Sequence, residues 1–207
     1  MANEAMNDPS ANRPARQAPA RVVALLAGGA SSRMGGRDKA LARLAGARLV
    51  DHALARLGPQ ADRLVISGPH DYGTGLPCVP DSAEGPRGPV AGIFSLWRWV
   101  EANAAEARGF FTAPVDGPFA PPDLVARLAE AGGPAIAADP QGSHPVFAYW
   151  TCAALAQAWP AAKDAPSLSL KALAATCGAR AVVWPEEGFF LNVNTPDDLE
   201  RAAKHLL

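Results

Sequence analysis

The stretch that most constrains the fold is residues 22–41, VVALLAGGASSRMGGRDKAL, in which an apolar run gives way to a glycine-rich basic loop. The run from Val22 to Ala27 is typical of a strand buried on both faces of a sheet. The glycines that follow leave backbone N–H groups free to approach a ligand, and Arg33 and Lys39 add positive charge nearby. A buried strand that leads into such a loop favours a polyphosphate site at the carboxyl end of the strand.

Two common nucleotide-binding motifs are absent from this loop. The sequence contains neither GxxxxGK[ST] nor GxGxxG here, so it indicates neither a P-loop nor a dinucleotide-binding fingerprint. The alternative is an ordinary Gly/Ser turn with solvated charges, and that explanation suits Arg37 as well as a phosphate contact does. Gly35 and Gly36 are expected to permit the turn and nothing more.

Strands alternate with helices along the rest of the chain. The predicted strands are 22–27, 63–67, 109–115, 135–138, 145–149 and 181–184, with short pieces near 78–79 and 189–193. The predicted helices are 49–57 with a stop at Gly58, 92–107, 121–131, 152–158, 169–176, and a last one that Thr195 caps and Pro196 begins. This order predicts a single α/β domain with a mainly parallel, three-layer, Rossmann-like sheet and helices on both faces.

The predicted topology also gives a place for a ligand. Ligands of such sheets bind beyond the carboxyl ends of the strands. Gly28, Ser67 and Asp116 all lie at or just after predicted strand ends, so one crevice could collect them.

Whole-chain properties narrow the class of protein. The 207 residues suffice for one α/β core, and the net charge of −1 gives no reason to expect a nucleic-acid partner. The three cysteines stand far apart without a CxxC motif, which fits a reducing compartment. Residues 1–20 have no apolar core and are expected to be a disordered, dispensable extension of a domain at 21–207. No apolar run could span a bilayer, so the sequence predicts a soluble cytoplasmic protein without membrane contact.

Residues 26–41, LAGGASSRMGGRDKAL, resemble the signature loop of the nucleotidyltransferases that join a nucleoside triphosphate to a phosphate acceptor. Within that superfamily, which has the nucleotide-diphospho-sugar transferase fold, the combination of LAGG, RMG and DK resembles the molybdenum cofactor guanylyltransferases. Three shorter elements occur in the order usual for the family: VPDSAEGPRGPVAGI at 79–93, VDGP at 115–118 and NVNTP at 192–196. The resemblance covers roughly residues 21–207.

The resemblance implies a role for each matching residue. The implied GTP-binding residues are Leu26, Ala27, Gly28, Lys39, Ser67, Asp81 and Asp116. The implied catalytic residues are Arg33, Lys39 and Asp116, with Asp116 also holding Mg²⁺. The implied acceptor-side residues are His144, Asn192 and Asn194.

Several of these positions have plainer explanations. Asp116 follows an apolar strand, where a carboxylate either holds a metal or caps a turn before a proline. Asp81 could be a surface residue of a long loop, His144 a structural histidine, and Lys171 is better explained as an exposed helix residue than as an acceptor contact. Ser67 stands where the family often has Asn, which weakens the case for that contact.

The activity implied is Mg²⁺-dependent transfer of GMP from GTP to molybdopterin. A molybdopterin cytidylyltransferase or a sugar-phosphate nucleotidyltransferase is the alternative, although LAGG, in which Gly28 would leave room for guanine, differs from the LAAG of cytidylyl relatives. A nucleotide-binding carrier without turnover is the alternative from another class. The expected partners are GTP and molybdopterin, with molybdoenzymes or their chaperones as possible recipients of the product, and the expected state is a monomer or weak oligomer.

Overall fold

The computed structural model describes residues 19–27, 38–165 and 167–205. The interpretations of Gly28, Arg33, Gly35, Gly36 and Arg37, and those of residues 1–18, therefore fall outside the described residues. The strands are β1 (Val22–Leu26), β2 (Arg43–Leu44), β3 (Ala47–Arg48), β4 (Arg63–Ser67), β5 (Cys78–Val79), β6 (Gly109–Pro114), β7 (Ala135–Asp139), β8 (Gly142–Thr151) and β9 (Arg180–Val183). The α-helices are α1 (Leu49–Leu57), α2 (Pro89–Asn103), α3 (Leu124–Glu130), α4 (Cys152–Ala162), α5 (Leu170–Thr176) and α6 (Pro196–Lys204), and two short 3-10 helices cover Lys39–Leu41 and Gly58–Gln60.

Seven of the strands form one sheet in the order β5-β4-β1-β6-β8-β7-β9, and β2 and β3 form a separate hairpin. The central strand β1 pairs in parallel with β4 and β6 along its whole length, and β8 runs antiparallel to both β6 and β7. The prediction of a mainly parallel α/β sheet is confirmed. The carboxyl ends of β4, β1 and β6 consequently lie side by side at one edge of the sheet.

Helices cover both faces of this sheet. On one face α2, α4 and α5 enclose a core that includes Val22, Phe110 and Trp150, each at most 1% exposed. On the other face α1 and α3 cover a core that includes Leu25 and Phe147. Because successive side chains of a strand point to opposite faces, β1 buries Val22 in one core and Val23 in the other.

The reversed direction of β8 follows from a tight hairpin. The side chain of Asp139 accepts hydrogen bonds from the backbone N–H groups of Gln141 and Gly142, and Gly142 has a φ of 139°. The predicted hairpin is therefore present, but β8 is twice as long as the predicted 145–149 because it pairs with two neighbours.

Other predicted boundaries were wrong for local reasons. Helix α2 begins at Pro89 rather than Gly92, since Gly88 adopts a φ of 78° and Pro89 suits the first helical position. It ends at Asn103, four residues before the expected 107. Helix α3 starts at Leu124, after the two prolines expected to open it.

The expected stop of α1 at Gly58 is confirmed, since the helix ends at Leu57. With a φ of −54°, Gly58 is right-handed and begins a 3-10 helix. Residues 189–193 form a turn and irregular chain rather than the expected extended piece, because Phe190 is buried against Trp184 and Phe147.

In 19–27, 38–165 and 167–205 there is no helix with the length and apolar character that crossing a membrane requires.

Candidate active site

The carboxyl ends of the three central strands are joined by backbone hydrogen bonds. The amide of Ala27 donates to the carbonyl of Ser67 at 3.0 Å, and the amide of Val115 donates to the carbonyl of Leu26 at 3.1 Å. These bonds bring Leu26, Ala27, Ser67 and the start of the turn at Asp116 to one edge of the sheet. This is the edge at which parallel α/β sheets bind ligands.

Lys39 is the centre of the polar groups at this edge. Its Nζ lies 2.9 Å from Oδ2 of Asp116 and donates to Oδ1 of Asn194 at 2.5 Å. The side chains of Lys39 and Asp116 are 23% and 17% exposed, so the pair is partly shielded but open to a ligand. We refer to Lys39, Asp116 and Asn194 as the lysine–carboxylate site.

The start of helix α6 holds Asn194 in place within this site. The carboxylate of Asp198 accepts hydrogen bonds from the backbone N–H groups of Asn194 and Thr195, each at 2.9 Å, and the Thr195 hydroxyl in turn caps the helix. The amide of Val193 donates to the carbonyl of Asp116 at 2.8 Å, which ties this segment to the turn after β6. The Arg201 guanidinium and the Asn194 amide hold the pKa of Asp198 at about 2, so the carboxylate stays ionised at neutral pH.

Ser67 and Asp81 converge at a second point, over Gly92 of α2. A Cβ added to Gly92 would lie 2.8 Å from Oγ of Ser67 and 3.3 Å from Oδ1 of Asp81. The buried hydroxyl of Ser95 accepts a hydrogen bond from the amide of Ser82 at 2.8 Å and so holds the segment that carries Asp81. Asp81 as a residue is exposed, yet burial of its carboxyl group raises its pKa. Gly92 thus gives the two side chains room to face the same space.

The closeness of Gly92 to Ser67 and Asp81 gives a testable prediction. We expect Gly92→Ala to weaken nucleotide binding without disturbing the helix. Gly92→Ala should favour the helix but push aside Ser67 and Asp81, and we expect about tenfold weaker binding of GTP, since small misplacements at a site carry costs of this order. Isothermal titration would measure it. Gly58→Ala is the matched control, because Gly58 is also helical and its Cβ would meet no atom closer than 3.9 Å. Unchanged GTP affinity in Gly92→Ala would mean that Ser67 and Asp81 do not contact the nucleotide.

The remaining acceptor-side candidates are His144 and Asn192. His144 stacks on Phe190 with ring centroids 4.7 Å apart, and its Nε2 lies 3.0 Å from Oδ1 of Asp139. Asn192 is exposed. Among the described residues, no hydrogen bond or ion pair joins either of them to Lys39, Asp116 or Asn194. The exposed Lys171 lies on α5, as an ordinary surface lysine does.

Sequence reasoning missed three residues that organise the site. Asp38 caps the 3-10 helix that begins with Lys39, its Oδ1 accepting from the amide of Ala40 at 3.0 Å. The Tyr72 hydroxyl donates to Oδ2 of Asp38 at 3.0 Å. Asp198 completes the capping box of the last helix, at the spacing Thr195-x-x-Asp198. No sequence pattern pointed to Tyr72, which lies in a loop without periodicity.

The donor atoms at the lysine–carboxylate site suit a hard divalent cation. The part of the chain that the structure describes contains no cluster of three or more His, Cys, Asp or Glu side chains able to hold a metal. Mg²⁺, however, is commonly held by one or two carboxylates together with substrate phosphates. Asp116 offers such a carboxylate at this edge of the sheet, so the residues present fit Mg²⁺.

The fold and this edge of the sheet define an α/β protein with a candidate ligand site beyond the carboxyl ends of its central strands. Residues 23–179 match the MobA-like NTP transferase domain. A molybdenum cofactor guanylyltransferase of Cereibacter sphaeroides is 43% identical over 86% of this chain and 93% of its own. Another from Rhodopseudomonas palustris is 36% identical over 90% of this chain and 94% of its own. The chain therefore belongs to the MobA-like NTP transferase family, and the names of these two relatives confirm the resemblance seen in residues 26–41.

A solved structure supports the fold independently. The molybdopterin-guanine dinucleotide biosynthesis protein A of Archaeoglobus fulgidus superposes with a TM-score of 0.63 at 23% identity. The superposition covers 89% of this chain and 98% of that protein. The two chains share this fold over the matched part.

Proposed function

We propose that this nucleotidyltransferase transfers GMP from GTP to the terminal phosphate of molybdopterin and releases pyrophosphate. The names of relatives at 36% to 43% identity support this substrate pair. The observation that carries the proposal is the position of Lys39, whose ammonium group lies between Asp116 and Asn194 at the carboxyl ends of the central strands. Loss of Lys39 or Asp116 would have favoured a carrier without turnover, and both residues are present.

The reaction needs alignment and charge neutralisation more than covalent catalysis. An oxygen of the acceptor phosphate forms a bond to the α-phosphorus of GTP, and the bond from that phosphorus to the bridging oxygen of the β-phosphate breaks. Negative charge develops on the departing pyrophosphate, and Lys39 is placed to neutralise it. Asn194 and Asp116 keep the ammonium group in position through the bonds described above.

We further propose that Asp116 holds Mg²⁺ during the reaction. When bound, the ion supplies positive charge to the triphosphate and to the leaving pyrophosphate. Asp116 contributes a carboxylate that is partly shielded from water, and its contact with Lys39 limits its freedom to rotate. Arg33 and Gly28 remain proposed phosphate and base contacts by resemblance, and His144 and Asn192 remain proposed acceptor-side residues.

The nucleotide specificity is tested by product analysis. Purified protein is incubated with molybdopterin, Mg²⁺ and each of GTP, CTP, ATP and UTP, and pyrophosphate and the dinucleotide product are measured. We expect product from GTP at a rate at least about tenfold above that from CTP, a ratio that needs only about 1.4 kcal/mol of preference for guanine. A higher rate with CTP than with GTP would replace the proposal by a cytidylyltransferase, and equal rates would overturn the preference for guanine. Tight GTP binding without pyrophosphate release in the presence of molybdopterin would favour the carrier.

A further inference from the structure

The loop that follows β4, residues 68–77, reaches across to the start of the 3-10 helix that carries Lys39. In its turn Asp71–Thr74, the amide of Thr74 donates to the carbonyl of Asp71 at 3.0 Å. The two central residues, Tyr72 and Gly73, have φ values of 56° and 74°. Positive φ at both central positions is typical of turns that favour Asn or Gly first, so a tyrosine at this position is unusual.

Several contacts hold Tyr72 in this unfavourable conformation. The side chain of Asp71 accepts from the amides of Gly73 at 3.1 Å and Gly75 at 3.2 Å, which fixes the turn. The guanidinium of Arg48 donates to the carbonyl of Tyr72 at 2.6 Å, and Arg48 is itself paired with Asp51 of α1. A strained residue that its surroundings hold so firmly is a candidate for a role beyond the turn.

The Tyr72 side chain leads directly to Lys39. The ring packs against the core beneath α1, and the hydroxyl donates to Oδ2 of Asp38 at 3.0 Å. The other oxygen of that carboxylate accepts from the amide of Ala40. Tyr72 and the 3-10 helix therefore each donate a hydrogen bond to the Asp38 carboxylate. Burial, followed by the hydrogen bond to Asp38, raises the pKa of the Tyr72 phenol, which therefore remains a donor under assay conditions.

We propose that Tyr72 is a positioning residue that sets the ammonium group of Lys39 by fixing the carboxylate of Asp38. This inference deepens the proposed function and rests on it, since the purpose of the positioning is to act on the triphosphate of GTP. Without the hydroxyl, the Asp38 carboxylate can rotate away from the Ala40 amide, and the turn that begins with Lys39 loosens. The contacts with Asp116 and Asn194 then remain to hold the Lys39 ammonium group.

The test uses Tyr72→Phe, which keeps the ring and removes the hydroxyl. We expect kcat for pyrophosphate release to fall about tenfold, as loss of one hydrogen bond to a charged group allows, while KM for GTP and the melting temperature change little. Tyr149→Phe is the matched control, because Tyr149 is the only other tyrosine of the sequence and its ring stacks on Phe111 in the sheet. A purely structural role for Tyr72 would lower the melting temperature and leave kcat of the folded enzyme unchanged.

A double-mutant cycle with Asp38→Ala locates the effect. If Tyr72 acts through Asp38, the double variant loses no more kcat than Asp38→Ala alone, whereas independent effects would multiply. If the two effects on kcat multiply and the reactivity of the Lys39 amine is unchanged, the inference is overturned.

A second readout does not depend on turnover. Trace acetylation with acetic anhydride, read by mass spectrometry, compares Lys39 with Lys163, whose side chain is 49% exposed at the end of α4. We expect Tyr72→Phe to raise the ratio of Lys39 to Lys163 labelling by about threefold, in line with a weakened hydrogen-bond network, and Tyr149→Phe to leave it unchanged. An unchanged ratio in Tyr72→Phe with kcat within twofold of wild type refutes the positioning role but leaves the proposed function standing. An inactive wild-type protein refutes the proposed function instead, and the labelling ratio then decides whether Tyr72 positions Lys39.

Discussion

Asp116→Asn should lower turnover of GTP about a hundredfold while the fold stays intact. The change keeps the size of the side chain and removes the charge that would hold Mg²⁺ beside the triphosphate, a loss on the order of 3 kcal/mol in the transition state. Because the Lys39–Asp116 pair is partly exposed, we expect the free energy of unfolding to change by no more than about 1 kcal/mol. Pyrophosphate release measured against Mg²⁺ concentration should also show that the variant needs more metal.

The contact between Asp116 and Lys39 makes control variants essential. Asp116→Asn also removes the counter-ion of Lys39, so a fall in rate alone does not identify a metal ligand. Asn194→Ala removes the other partner of Lys39 and leaves the carboxylate in place, and we expect it to lower the rate without changing the Mg²⁺ requirement. Asp164→Asn, at a carboxylate that is 83% exposed beyond α4, controls for the loss of charge. Normal turnover of Asp116→Asn at the wild-type Mg²⁺ concentration would show that the metal is held elsewhere.

The elements predicted most accurately are those with strong local signals. The sequence RLVIS of β4 is a short β-branched run, and the structure gives the same bounds, Arg63–Ser67. The last helix starts where Thr195 and Pro196 predict, because capping and the fixed φ of proline are local effects. The direction of β8 and its doubled length were not predictable in this way, because they depend on its pairing with both β6 and β7.

In the candidate site, too, some features follow from local sequence and others depend on the tertiary structure. Lys39 and Asp116 each stand out because a charged residue follows a buried strand, and the parallel sheet brings those strand ends together. Their direct contact, across 77 positions of sequence, and the contact of Lys39 with Asn194, across 155, leave no trace in local pattern. Tyr72 has even less signal, since its role depends on a turn conformation that glycine or asparagine would adopt more readily. Local sequence thus identified the charged groups, and only the tertiary structure shows which groups hold them.

Lys39→Met should also lower kcat about a hundredfold, because methionine fills a similar volume and removes the charge that would neutralise the leaving pyrophosphate. The diagnostic measurement is the ratio of affinities for GTP and GMP, which differ in the phosphates that Lys39 would contact. We expect this ratio to fall about tenfold in Lys39→Met, since a charge-assisted contact with phosphate is lost, and to stay near wild type in Asp164→Asn.

The double variant Lys39→Met/Asp116→Asn separates two roles that the ion pair could combine. If Lys39 served only to neutralise Asp116, Lys39→Met would leave the ratio of GTP to GMP affinity near that of wild type, and removing the Asp116 charge as well would restore any stability lost. If Lys39 contacts the triphosphate, Lys39→Met lowers this ratio and the double variant stays as inactive as the single ones, because the lost charge acted on the ligand rather than on its neighbour. An unchanged ratio in Lys39→Met would make Lys39 a structural counter-ion, and the neutralising charge would then have to come from another residue at this edge of the sheet.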